Sequence, residues 1–186
     1  MKRFLDLAIS MILLVLLGIP MLLIGLAVKL SSHGPILYWS DRVGRGNHLF
    51  RMPKFRTMRG NTPQVATHLL DDPEAYLTPI GSFLRSSSLD ELPQLFSVIR
   101  GDLSLVGARP ALFNQDDLIA HRTKLGIHLI RPGITGWAQV NGRDDLPVPV
   151  KVQYDYEYLG SRSFYFDIRI LFLTVFKVLM HDGVSH

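Results

Sequence analysis

The sequence predicts a mainly α protein with one small β-hairpin, an α+β arrangement in which an apolar N-terminal helix precedes a compact, polar domain. Three observations carry this. Residues Leu7 to Val28 contain no charge. Two strand-like runs flank Gly44-Arg45-Gly46-Asn47. Elsewhere the apolar residues recur at helical spacing, as far as a second apolar stretch from Phe164 to Met180. At 186 residues the chain is one domain with an appendage: a helix over residues 1–30 and a domain over 31–186.

The first element, LAISMILLVLLGIPMLLIGLAV, reaches about 33 Å at helical rise, enough to cross a hydrocarbon core. It is too long for a cleaved signal peptide, and no A-x-A-like site follows it. Pro20 lies in mid-segment, where it removes a helical hydrogen bond and clashes with the preceding turn. Basic residues stand on both sides: Lys2 and Arg3 before, then Lys29, Arg42, Arg45, Arg51, Lys54 and Arg56 after. The positive-inside tendency favours the cytoplasm for both ends, so a helix bent at Pro20 and returning to the same face competes with an ordinary kinked span.

Ile36–Val43 and His48–Met58 read as the hairpin. Period-two alternation puts Lys54 and Arg56 on one face of the second strand, where they are solvated or line a phosphate site. Asn61 to Tyr76 is a polar loop with one short turn of helix. Helices follow at Ile80–Arg85, Leu92–Ile99, Leu112–Leu125 and Val150–Leu159, with a Gly/Pro/Arg-rich loop tract, RPGITGWAQVNGR, between the last two. In the C-terminal stretch Ile168, Leu171, Phe172, Val175 and Leu179 share a helix face, as in a helix lying in the membrane interface or one packed in a core.

The net charge of +4, with 14 of the 20 basic residues Arg, points to anionic partners. No cysteine is present, which excludes a disulfide frame and a thiolate metal site. The seven histidines form no i, i+4 pair. The chemistry concentrates in RSSSLDELPQLF, where Asp90 and Glu91 stand side by side. Ser88 and Glu91 have capping-box spacing. A helix capped at Ser88 would, however, put Pro93 at its fifth residue, whereas a start nearer Asp90 leaves Pro93 in the first turn. Adjacent helical positions do not face each other, so the two acids divide labour: one attacks or accepts, the other holds a metal. Asp is an established nucleophile on phosphorus. Arg85, Arg109, Arg131 and Arg143 are candidates to screen a diphosphate.

These residues resemble the bacterial sugar transferase family in its small, monotopic phosphoglycosyl transferase form. KFRTM (54–58), RSSSLDELPQLFSVIRGDLSLVGARP (85–110), RPGITGWAQVNGR (131–143), YDYEYL (154–159) and FDIRILFLTVFKVL (166–179) carry the likeness in register. The resemblance implies transfer of a sugar-1-phosphate from a UDP-sugar to undecaprenyl phosphate, with release of UMP, through a phosphosugar ester on Asp90. It implies Mg²⁺ at Glu91, phosphate binding by Arg109 with Lys54, Arg85, Arg131 and Arg143, and a nucleotide tract around Gly136, Trp137 and Gln139. It further implies a re-entrant helix broken at Pro20, interfacial amphipathic helices, contact with membrane lipids, and a compact catalytic domain on the cytoplasmic face of the bacterial inner membrane. No nucleic-acid partner is implied, and a homo-oligomer stays open.

Two positions depart from the family pattern. Ile19 replaces the usual serine before the proline, and Ala108 replaces the first proline of G-P-R-P. Two other readings of the residues are a metal-dependent membrane phosphatase using Asp90 and a membrane-anchored anion-binding module in which Asp90-Glu91 is a cap.

Overall fold

The computed structural model describes residues 1–60, 62, 72, 74–142 and 146–180, with side chains up to 178. The expected polar loop falls mostly outside them, except for a single 3₁₀ turn at Glu74–Tyr76. The protein is mainly α, with small β elements, as expected.

The apolar N-terminal segment forms α1, Lys2–Ser31, with Pro20 inside it. Among the described residues it is the one helix long and apolar enough to cross a membrane. One face of α1 packs on the rest of the protein at both ends. Near its start, Arg3 donates to the carbonyls of Val98 (2.7 Å) and Ile99 (3.0 Å), and Asp6 accepts from Ser104 Oγ (2.8 Å) and Leu105 N (3.2 Å). Near its end, Val28 is fully buried against Phe55 and Leu84. The opposite face stays bare: Val15 is 80% exposed, Ile19 72% and Leu22 75%, and Pro20 lies on that side.

The hairpin is β1, Leu37–Val43, antiparallel to β2, Leu49–Phe55, with Leu37 opposite Phe55 and Val43 opposite Leu49. Its connection holds a 3₁₀ turn at Arg45–Asn47, where Gly46 and Asn47 take positive φ. The strand ends at Phe55, so Arg56 does not continue the Lys54 face. Instead its buried guanidinium donates to the carbonyls of Ser32 (2.8 Å) and His33, closing off the C-terminus of α1. That places positive charge at the C-terminal end of α1 and pins the chain just beyond it.

Beyond the hairpin come α2 (Gly81–Ser86), α3 (Gln94–Arg100), β3 (Ser104–Val106), α4 (Asp116–Lys124), β4 (Gly133–Thr135), α5 (Trp137–Asn141), α6 (Val148–Ser161) and α7 (Phe164–Met180). Helix α3 starts two residues later than expected because Pro93 serves as its N-cap, where a missing N–H costs nothing. Helix α4 also starts late: the Gln115 side chain accepts from Leu112 N (2.9 Å), and Leu112 bridges to Arg42. The loop expected over residues 131–143 holds structure instead. Strand β4 runs parallel to β3, Ser104 opposite Gly133 and Val106 opposite Thr135, and α5 follows.

The main core gathers Met52, Leu95, Val98, Leu103, Val106, Val140, Tyr158 and Ile170, with Ile9, Leu13 and Leu14 of α1 laid against it. Helix α7 has the boundaries expected. Ile170 points into the core, while Ile168, Phe172 and Val175 of the expected stripe are exposed. Tyr158, 1% exposed, shares its hydroxyl proton between Asp167 Oδ1 (2.7 Å) and the Val106 carbonyl (3.1 Å), tying α6 and α7 to β3. Tyr158→Phe strands these acceptors and should cost about 1–2 kcal/mol. In a thermal scan that is a drop of roughly 2–8 °C.

Candidate active site

The turn that carries the two carboxylates is short and tightly held. Ser88 takes the left-handed conformation (φ 57°), uncommon for a residue with a Cβ, and leads into a 3₁₀ turn, Leu89–Glu91. Ser88 makes no side-chain cap hydrogen bond, so the capping box is not formed. Leu89 and Leu92 pack beside Met21, Ile24 and Val28, whereas Leu95 and Val98 pack beside Ile9, Leu13 and Leu14. The leucines on either side of the carboxylates, Leu89 and Leu92, thus belong to the cluster that holds the C-terminal half of α1.

Lys54, on β2, donates to Glu91 Oε1 at 2.7 Å and lies 3.8 Å from Asp90 Oδ2. Arg109, on the loop after β3, forks onto Glu91, with 2.7 Å to Oε1 and 3.4 Å to Oε2. Arg85, at the end of α2, donates to Met58 Sδ at 3.9 Å, and its charge acts on Asp90. Four sequence-predicted residues therefore surround Asp90: Lys54, Arg85, Glu91 and Arg109.

The two acids differ in kind. Burial raises the Asp90 carboxyl above its ordinary value; Lys54 opposes this, the Glu91 charge adds to it, and Arg85 and Arg109 oppose it further. Burial also acts to raise Glu91, but Arg109 and Lys54, by charge and by hydrogen bonds, outweigh it and hold that carboxyl well below the usual range. Asp90, 6% exposed, receives no hydrogen bond among the described residues, while both Glu91 oxygens are engaged. Glu91 is an anchored charge. Asp90 is a desolvated oxygen base with free lone pairs.

Of the other predicted residues, the described ones make the following contacts. Arg131 donates through Nε to the Gly101 carbonyl (2.8 Å) at the end of α3. Gly136 is needed for close approach: a Cβ there would lie 2.0 Å from the Gly107 carbonyl oxygen. Trp137 packs against Phe166 (5.1 Å between centroids), carries the Arg169 guanidinium over its ring and donates to Glu157 (3.1 Å). Gln139 has both amide atoms buried and without a hydrogen-bond partner among the described residues. Arg143 lies outside the described residues.

Sequence reasoning named Arg56 but not its role at the end of α1, and missed Asp6 and the buried Arg122–Asp155 pair (Nη2 to Oδ2, 2.5 Å). Asp155 lies within YDYEYL, but nothing in that motif's spacing names a partner 33 residues away.

No group of three or more His, Asp or Glu side chains able to hold a metal occurs among the described residues. The donor set that is present, two neighbouring carboxylates of hard oxygen, suits Mg²⁺, which commonly takes one or two carboxylates and completes its shell with water and substrate phosphates.

The chain matches the family described as Bacterial sugar transferase over residues 1–181. It is 43% identical, over 96% of its own length and 38% of the relative's, to a UDP-glucose:undecaprenyl-phosphate glucose-1-phosphate transferase of Xanthomonas campestris pv. campestris. It is 35% identical, over 98% of its length and 44% of the relative's, to a UDP-N-acetylgalactosamine-undecaprenyl-phosphate N-acetylgalactosaminephosphotransferase of Aeromonas hydrophila. An uncharacterized sugar transferase of Bacillus subtilis (strain 168), EpsL, is 39% identical over the whole chain and 90% of its own length. The chain thus spans less than half of the first two relatives and nearly all of the third.

Proposed function

The chain belongs to the bacterial sugar transferase family, and from that premise we propose that it moves a sugar-1-phosphate from a UDP-sugar to undecaprenyl phosphate at the cytoplasmic face of the bacterial inner membrane. The observation that carries the mechanism is the contrast within one turn: Asp90 is buried and unbonded, and Glu91 beside it is held on both oxygens.

An Asp90 carboxylate oxygen bonds to the phosphorus that bears the sugar. The bond from that phosphorus to the bridging oxygen of the diphosphate breaks, and UMP leaves with the electron pair. A phosphate oxygen of undecaprenyl phosphate then bonds to the same phosphorus. The Asp90–phosphorus bond breaks, giving the lipid diphosphosugar and restoring the carboxylate. Lys54, Arg85 and Arg109 supply the positive charge that lets an anionic nucleophile approach an anionic donor. Glu91 would hold Mg²⁺, which would supply further positive charge to the donor's phosphates. Glu91 also fixes Lys54 and Arg109, so the cations are in place before the donor arrives.

The packing of Leu89 and Leu92, which flank the two acids, against the apolar helix α1 supports a membrane acceptor. With both ends of α1 fastened to one domain, and Pro20 on its bare side, the helix dips into the leaflet and returns. This monotopic arrangement leaves Asp90 near head-group depth, where a lipid phosphate and a soluble nucleotide can both reach it.

The purified protein in nanodiscs should release UMP with undecaprenyl phosphate and at least one of a panel of UDP-sugars. With acceptor withheld, intact-mass measurement should show a phosphosugar increment on the peptide containing Asp90. UMP release without any adduct under single-turnover conditions would point to direct transfer and remove the two-step route.

A further inference from the structure

Two guanidinium groups with no part in the chemistry above grip the loop that carries Arg109. From β1, Arg42 donates through Nη1 to the Pro110 carbonyl (3.1 Å) and through Nε to Ser40 Oγ (2.9 Å). From α4, Arg122 donates through Nη1 to the Arg109 carbonyl (2.7 Å). Its Nε and Nη2 both go to Asp155 Oδ2 on α6, at 2.9 and 2.5 Å. The neighbouring positions are tied as well: Gly107 N to Thr135 O (2.8 Å), Gly133 N to Ala108 O (2.9 Å) and Val43 N to Ala111 O (2.9 Å). Every residue from 107 to 111 has a backbone group bonded to another element.

Arg122 is 7% exposed and Asp155 1%, so this pair has given up its water. Buried ion pairs are often no more stabilising than apolar residues of the same size. An apolar pair could not, however, donate a directed, charge-assisted hydrogen bond to a carbonyl. What the arrangement gains is a fixed backbone at residues 109 and 110, directly behind the side chain that forks onto Glu91. Ala108 makes this more pointed, since a proline there would have stiffened the loop by itself.

We propose that Arg42 and Arg122, the latter held by Asp155, are positioning residues that set the reach of the Arg109 fork toward Glu91 and the donor's phosphates. This rests on the transferase reading. Misplacing a catalytic group by about 1 Å can cost on the order of 100-fold in rate.

The test is a double-mutant cycle followed by single-turnover UMP release from the full chain in nanodiscs. Arg42→Met should slow the reaction by roughly 10–100-fold, and Arg42→Lys, which keeps one donor, should recover most of it. Arg122→Met combined with Asp155→Leu replaces the pair by apolar residues and should slow the reaction similarly while keeping a cooperative melt. Arg42→Met decides the question by itself if that combination fails to fold. In an Arg109→Ala background either change should cost less than about 2-fold more, because the side chain being positioned is gone. Losses that multiply with that of Arg109→Ala would overturn the proposal and leave the transferase reading standing. A wild-type protein inert with every UDP-sugar would overturn both.

Discussion

Asp90→Asn is expected to abolish transfer, by at least about 10³-fold, and at the same time to raise the melting temperature. The amide keeps the shape of the side chain but has no anionic oxygen to bond to phosphorus. It also removes a charge that burial disfavours. Because burial raises the Asp90 carboxyl in the folded protein, the unfolded chain ionises more readily, and the charged form works against folding above the ordinary carboxylate range. Lys54 keeps its 2.7 Å partner, Glu91, so the substitution leaves no cation stranded. The paired outcome is the informative one: an inactive protein that melts higher and forms no phosphosugar adduct. A variant that is inactive and less stable would mean Asp90 holds the fold together. Turnover near wild type would remove it as nucleophile. The same raised carboxyl sets the acid side of the pH–rate profile, which should fall as pH drops through a value above that of an ordinary aspartate.

Glu91→Gln should be nearly as damaging, on the order of 10²–10³-fold in kcat/KM, with a higher Mg²⁺ concentration needed for half-maximal rate. Here the direction for stability reverses. Glu91 is held well below the usual carboxylate range by Arg109 and Lys54, despite burial, so its charge contributes stability above the unfolded carboxylate pKa and loses it as pH falls through the lower folded value. The amide removes the charge that both Arg109 and Lys54 bond at 2.7 Å, and the variant should melt lower than wild type near neutral pH. A magnesium titration that superimposes on wild type would take the metal from Glu91 and leave it only the role of charge anchor. Opposite thermal shifts for two adjacent isosteric changes are hard to produce by any general disturbance of the turn.

Much of this was legible beforehand, and the failures have physical causes. The hairpin and α7 could be read because strand alternation and a 17-residue helical run give many repeats of one signal. The parallel pair could not, since Ser104–Val106 and Gly133–Thr135 are three residues each, too short for any period to register. Asp90, Glu91, Lys54, Arg85 and Arg109 could be picked out by residue type, and the family resemblance joined them in one site; spacing alone left a helix cap in competition. Arg131 shows what a motif does not say. Its side chain goes to a helix-terminal carbonyl, a choice made by packing between segments 30 residues apart. Arg56 illustrates the same point on a smaller scale, because alternation holds only as far as the strand does.

The fastening of α1 has a practical consequence. Asp6 closes hydrogen bonds at the start of β3, and Val28 is part of the floor beneath Phe55, so the anchor is no detachable leash. Trimming it to obtain a detergent-free enzyme would open a strand end and strip the packing from Leu89 and Leu92, the neighbours of the reacting carboxylates. Solubility has to be sought by recoating its greasy outer flank, at positions such as Val15 and Leu22, with the inner flank left untouched.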